Sequence, residues 1–374
     1  MLKRLASLYL LAGAVALSCA ANAAPKWNGP GVPKPMFNTI SDHSPLHYPK
    51  GKTPAGTLAS WSGSFVDKIG ATVNFKMVGA DPATSNVPTH IKVVLIPITF
   101  VYGATNGNMT FDPTAKHTSG YGKKSVMKAL AGSPIFDQTS DFQSGSVDCG
   151  VGQYVDVYQR CNFWGHVSTN IGYHTVLDLT TIRKVKPMTI NVTSSQGSVI
   201  SNPFGEGDVG TMTQGSFDAQ ITAYLNAHTA QITPDIFPLF ISYDIYLTSG
   251  GCCIGGYHNA HGGTQTYGYS TWVDHPDSFS EDISAISHEI GEWYDDPFIT
   301  NRVHCSDNSL MENGDPLVPI GQYGTFEKKV GHNTYHPQSL VYVPYFGAPT
   351  STSANGWYSF LNELTQVCPG SQRN

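Results

Sequence analysis

His288, Glu289 and Glu292 have the types and the spacing for metal-assisted hydrolysis. An imidazole and a carboxylate four residues apart meet on one face of a helix. Both are ligands for a divalent metal. Glu289, next to the first ligand, points toward the same side from the helix flank and is the candidate base. The chemistry implied needs protein ligands that leave one metal position open for water. It also needs a carboxylate to take the proton of that water, whose pKa the metal lowers to about 7.

The stretch that must carry these residues runs from 278 to 297, S-F-S-E-D-I-S-A-I-S-H-E-I-G-E-W-Y-D-D-P. Ser278 with Glu281 three residues on reads as a capping box and predicts the helix start. Pro297 predicts its end, because proline pushes the preceding residue out of the helical region. Phe279, Ile283, Ile286, Ile290 and Trp293 recur at spacings of three and four and predict a buried face. His288 and Glu292 then face a cleft, with Asp295 and Asp296 one turn on. On a bare helix such a pair is a solvated face. Here the opposite apolar stripe, the alternating strand before it, the acidic segment after it and the exported context favour a site.

The letters His-Glu-x-x-Glu are one residue from the His-Glu-x-x-His of zinc peptidases. Glutamate at 292 makes the site closer to neutral and harder, which admits manganese, iron or calcium beside zinc. Glu312, in M-E-N-G-D, lies 24 residues after His288 and 20 after Glu292. That spacing is similar to the thermolysin-like gluzincins, where a later glutamate completes the site and a following aspartate orients the first histidine. Asp315 takes that second place here. Asp296 is the competing third ligand, with His304 and Asp307 behind it. The acidic group Asp307, Glu312 and Asp315 has a second reading, structural calcium in a secreted loop.

The elements around the helix follow from pattern. Residues 90 to 102 form a nearly continuous apolar run and predict a strand, placed by Pro97 at an edge or a bulge. Residues 123 to 130 and 216 to 228 predict helices, and 57 to 78 a hairpin. Residues 236 to 247 predict a second strand. A Gly/Cys loop, G-G-C-C-I-G-G-Y-H-N-A-H-G-G, is expected next. Thr266 to Asp274 alternates polar and apolar and predicts a half-exposed strand. The tail is rich in Pro, Gly, Asn and Tyr and reads as loop. The fold expected is α+β, with a mixed sheet packed on the long site helix and a loop-rich C-terminal subdomain.

Lys3, Arg4, the apolar run 8–17 and Ala21-Asn22-Ala23 predict a secretory signal over residues 1–23. Residues 24–89 read as an extended leader or pro-segment, and 90–374 as the main domain. Net charge is −6 and charged residues are 13%, with no strong run, which argues against nucleic acid as a partner. No other apolar run is long enough to span a membrane. Cys149, Cys161, Cys252, Cys253, Cys305 and Cys368 remain after the leader cysteine, an even number that predicts disulfides in an exported chain. Cys149–Cys161 is the expected local bridge. The adjacent Cys252 and Cys253 are expected to reach Cys305 and Cys368 instead of each other. No Gly-x-Ser-x-Gly elbow occurs, which puts a serine hydrolase last.

S-H-E-I-G-E-W-Y-D-D-P, M-E-N-G-D-P, the upstream A-G-S-P and the C-C-I-G-G-Y-H segment after a strand together resemble the Exordium/phosphate-induced-protein family and related exported bacterial proteins. The resemblance covers roughly Ile91 to Cys368. It implies a zincin-like metallopeptidase fold, a metal site and an active-site role for His258, as a transition-state donor. The function expected is an exported, monomeric, zinc-dependent peptidase acting on a protein or peptide, at the cell wall or beyond. The alternative is a non-catalytic secreted binding or signalling protein on the same fold.

Overall fold

The computed structural model describes residues 36–37, 44–48, 54–118, 121, 123–275, 278–304, 306, 309–364 and 367. The expected signal segment 1–23, Asp307, Cys305 and Cys368 lie outside the described residues.

A mixed sheet forms the centre. Its main strands are β1 (Thr89–Tyr102), β2 (Thr175–Leu179), β3 (Val199–Ser201), β4 (Asp208–Thr213), β5 (Ile236–Tyr243), β6 (Ile245–Thr248), β7 (Cys252–His261) and β8 (Gln265–Trp272). Hydrogen-bonded neighbours run β2-β1-β5-β8-β7-β6-β4-β3. The pairs β2–β1, β1–β5 and β5–β8 are parallel, and β8–β7 is antiparallel. Three helices matter for the site: α1 (Tyr154–Asn162), α2 (Gln214–Ala227) and α3 (Ser284–Asp295).

Successive residues of β1 serve opposite layers, as the two-residue period of a strand requires. Ile91 and Val93 join Leu239, Ile241, Ile286, Ile290 and Trp293 in the core under α3. Val94, Ile96 and Ile98 join Phe217, Ile221 and Leu225 in the core under α2. The sheet is thus covered by helices on both faces. Trp293 stacks on Phe237 with ring centroids 3.9 Å apart. Each such fully buried large apolar side chain contributes about 1.5–3 kcal/mol.

The long strand is interior, not an edge as Pro97 suggested. Its two partners on one side change at Pro97: Thr175–Leu179 pairs with residues 89–93 and Met188–Val192 with residues 98–102. On the other side Pro97 is the last paired position with β5. A missing N–H costs little at such a break. The predicted strand 236–247 divides at Asp244, whose φ of 53° is left-handed. The predicted half-exposed strand is buried along its whole length, because helix α3 and the second core cover its two faces.

The site helix also differs from expectation. It begins at Ser284, not near Ser278. Asp282 has φ 39°, which helical backbone cannot take, and its carboxylate accepts from Tyr121 Oη and from the His336 backbone N–H and Nδ1. Ser278 Oγ accepts from Asn202 instead of capping the helix. All twelve residues of α3 are buried. Its polar face lies under the tail, where Asn313 Nδ2 donates to the Gly291 carbonyl at 3.0 Å.

The hairpin Ser60–Val66 with Thr72–Val78 forms as expected. It packs with the tail: Val73, Phe75 and Met77 share a core with Met311, Leu317, Val341 and Phe346. Cys149 and Cys161 are bridged, tying the strand Val147–Val151 to α1. The other bridge corrects the sequence reading: Cys252 pairs with Cys253. The peptide bond between them is cis and their Cα atoms are 3.1 Å apart. Two disulfides are compatible with an extracellular location. No helix among the described residues is long and apolar enough to cross a membrane.

Candidate metal centre

Three segments converge on one buried cluster. Helix α3 brings His288, Glu289 and Glu292. Strand β7 brings His258, paired across from Gly268 of β8. The tail brings Glu312 and Asp315. His258, His288, Glu289, Glu292 and Glu312 are each at most 3% exposed. The Asp315 side chain is 39% exposed, so the cluster reaches solvent there.

Two glycines permit this closeness. A Cβ on Gly256 of β7 would lie 2.6 Å from Glu289 Cγ, so only glycine lets the strand pass so near the helix. A Cβ on Gly314 would lie 2.4 Å from His288 Nδ1. Its backbone N–H instead donates to Glu292 Oε1 at 3.2 Å. The tail is pinned in register by Asn313, whose amide donates to Tyr158 Oη, Asp295 Oδ2 and the Gly291 carbonyl. Tyr158 and Gln159 of α1 donate to the same Asp295 carboxylate. Glu312 and Gly314 flank that anchor on either side.

The hydrogen bonds decide which nitrogen of each histidine is free. Gln338 Nε2 donates to the Gly314 carbonyl, which turns its Oε1 toward His288 Nδ1 at 2.5 Å. An amide oxygen only accepts, so Nδ1 carries the proton and Nε2 is a lone pair. Nε2 faces Glu292 Oε1 at 2.9 Å and Asp315 Oδ1 at 3.7 Å, with no hydrogen-bond partner. His258 is fixed the same way. Its Nε2–H donates to the Asp296 carbonyl at 3.1 Å. Its Nδ1 lone pair faces Glu289 Oε2 at 3.5 Å and Glu292 Oε2 at 3.9 Å.

Burial holds both imidazoles neutral, with pKa values lowered to about 4. Burial, then the charges of neighbouring carboxylates, pushes the Glu289, Glu292 and Glu312 carboxyls well above their ordinary range. No lysine or arginine among the described residues forms an ion pair with any of the three; the close ionic neighbours of Glu289 and Glu292 are the histidines. Neither oxygen of Glu289 or of Glu312 has a hydrogen bond of good geometry, although the His258 backbone N–H approaches Glu289 and Glu312 shares a proton with Glu292. Buried acids and inward lone pairs without a cation carry a large desolvation cost. A divalent cation removes that cost at a stroke. Three three-residue sets among the described residues have ligand atoms all within 4.8 Å of one another, and two of them lie in this cluster: His288, Glu292 and Asp315, and His258, Glu289 and Glu292. Glu292 belongs to both. The residues present therefore fit a metal ion.

The structure brings His288, Glu289, Glu292, Asp315 and His258 together, and Glu312 joins them only through its side-chain hydrogen bond with Glu292. It places Asp315 on the Nε2 side of His288, while Gln338 holds Nδ1, the orienting task that the sequence assigned to Asp315. It leaves His258 no N–H for a transition-state donor, because that proton is held by Asp296. Asp296 itself stands apart: its carboxylate accepts from the Thr300 and Asn301 backbone N–H groups. His304 pairs with Asp67, away from the cluster. Gln338 was missed by sequence reasoning, since one glutamine in a loop 50 residues after His288 carries no spacing signal.

No family model matches this chain, no curated protein matches it, and no solved structure matches it.

Proposed function

We propose that this chain is an exported metal-dependent peptidase of zincin-like fold, the reading in keeping with its resemblance to the Exordium/phosphate-induced-protein family. One observation carries it: the lone pairs of His288 and His258 point inward at the buried carboxyls of Glu289 and Glu292, which form no ion pair with a lysine or arginine among the described residues. His288 and Glu292 are the proposed ligands, completed by Glu312, which is hydrogen-bonded to Glu292, or by Asp315, whose carboxylate oxygen lies within 4.8 Å of both. Asp315 stands at the open rim, and His258 offers a second nitrogen. A set of imidazoles and carboxylates suits zinc, with manganese, iron or calcium as the harder alternatives. The bound metal supplies Lewis acidity, polarising a carbonyl and acidifying water.

The chain's own residues do the rest. Gln338 holds His288 in the tautomer with Nε2 free. Asp296 does the same for His258 Nδ1. Glu289 takes a proton from water as the oxygen adds to the peptide carbonyl carbon. It then gives that proton to the leaving amine as the C–N bond breaks. Its carboxyl is held above the ordinary range, first by burial and then by Glu292 and Glu312, which favours its taking up a proton. The wall of buried side chains keeps bulk water from the reacting atoms, with Asp315 at the entrance.

The test is cleavage of an unstructured peptide library by the mature protein, stripped of metal and then reloaded with zinc or manganese. We expect cleavage only in the reloaded samples. Metal bound at full occupancy with no cleavage of any peptide favours the non-catalytic binding protein instead.

A further inference from the structure

The chain places one of its own leader residues against the cluster. Met36 and Phe37 form a short strand parallel to β7, in register with Ile254 and Gly256. Within the sheet Ile254 already pairs with Leu247 of β6, and Gly256 with Ser270 of β8. At Gly256 β8 holds one edge of β7, so Phe37 takes the other edge, the one that β6 pairs with only as far as Ile254. The ring of Phe37 stacks on His288 with centroids 3.5 Å apart and planes 19° from parallel. Phe279 meets the same ring edge-on at 5.6 Å. His288 and Phe279 are thus two walls of an aromatic slot beside the metal cluster. A Cβ on Gly255 would lie 3.1 Å from the Phe279 ring, so a side chain there would crowd the slot.

We propose that this edge of β7, with its slot between His288 and Phe279, is the peptide-binding subsite, and that Met36–Phe37 is its resident occupant. The ligand class is an extended peptide added as a strand, with an aromatic side chain in the slot. Backbone pairing along a sheet edge gives affinity to any extended chain, and a side-chain pocket gives the preference. This rests on the peptidase reading for its substrate class but not for its binding geometry. It gives the leader a role as well: the segment before the hairpin must leave the edge before another peptide can take it.

The probe is a fluorescein-labelled peptide of the chain's own sequence, K-P-M-F-N-T, and a second with alanine for its phenylalanine. Binding is read by anisotropy to the mature protein, to Phe37→Ala, and to a chain starting at Ser44 that keeps the hairpin and Leu46. We expect the phenylalanine peptide to bind Phe37→Ala and the shortened chain about ten-fold or more tighter than the intact protein. The alanine peptide should lose about ten-fold on both, which corresponds to about 1.4 kcal/mol. Equal affinity for all three proteins, or for both peptides, overturns the proposal. The shortened chain gives the answer if Phe37→Ala does not fold, and the peptide pair gives it without altering the protein. Tight, phenylalanine-dependent binding with no metal-dependent cleavage keeps this subsite and removes the peptidase reading. Cleavage with no gain on vacating the edge keeps the peptidase and removes the subsite.

Discussion

Glu289→Gln is expected to lower peptide turnover by about 10²- to 10⁴-fold while the protein keeps its metal. Glutamine matches glutamate in size, so it fits beside Gly256, where an added Cβ would lie 2.6 Å from the Glu289 side chain. It cannot accept and return a proton. It also removes one buried carboxyl with no hydrogen bond of good geometry on either oxygen, so the fold should be no less stable and the melting temperature unchanged or higher. Parallel assays of kcat, metal content and thermal unfolding separate the two effects. A variant that loses its metal together with activity would make Glu289 a ligand, and one that keeps full kcat would remove it from the chemistry.

Metal removal is expected to destabilise the protein, and more so at higher pH. Without metal the folded state holds the Glu289, Glu292 and Glu312 carboxyls well above their ordinary range, because burial and mutual repulsion disfavour their charge. Between the ordinary carboxylate value and those raised values the folded state binds more protons than the unfolded chain. Stability of the metal-free protein therefore falls as pH rises through that window. Each carboxyl that titrates this way adds about 1.4 kcal/mol of loss per pH unit. The metal takes the place of those protons, so its stabilisation grows with pH. At 100 times its dissociation constant it adds about 2.7 kcal/mol. Thermal unfolding from pH 5 to 8, with and without metal, measures this. Parallel curves for the two states would show that the carboxyls are not at the site.

The helix that carries the site was legible because its ligands and its apolar residues obey one local period. Glu312 was legible only as a spacing, and Asn313 shows what makes that spacing work: its amide locks the tail to Asp295 and Gly291. The start of the helix was misread because Ser278 and Glu281 have the letters of a capping box, while Asp282 is drawn into a left-handed turn by Tyr121 and His336, partners 161 and 54 residues distant. Strand β7 was misread as a loop for a related reason. Its glycines look like turn residues, yet Gly256 is there because Glu289 approaches from the helix. The free nitrogen of each histidine depends on Gln338 and on the Asp296 carbonyl, and neither contact leaves a local pattern in the chain. The Phe37 stack on His288 joins residues 251 positions apart and was out of reach for the same reason.

The central claim is that the cluster around Glu292 holds a metal. Elemental analysis of the protein beside Glu292→Ala tests it most directly, because Glu292 faces His288 through one oxygen and His258 through the other. We predict about one divalent ion per wild-type chain and, for Glu292→Ala, a loss of about ten-fold or more in occupancy, as removal of a ligand from a small donor set should give. A wild-type protein free of metal after exposure to zinc and manganese, or equal occupancy in the two proteins, would contradict the account.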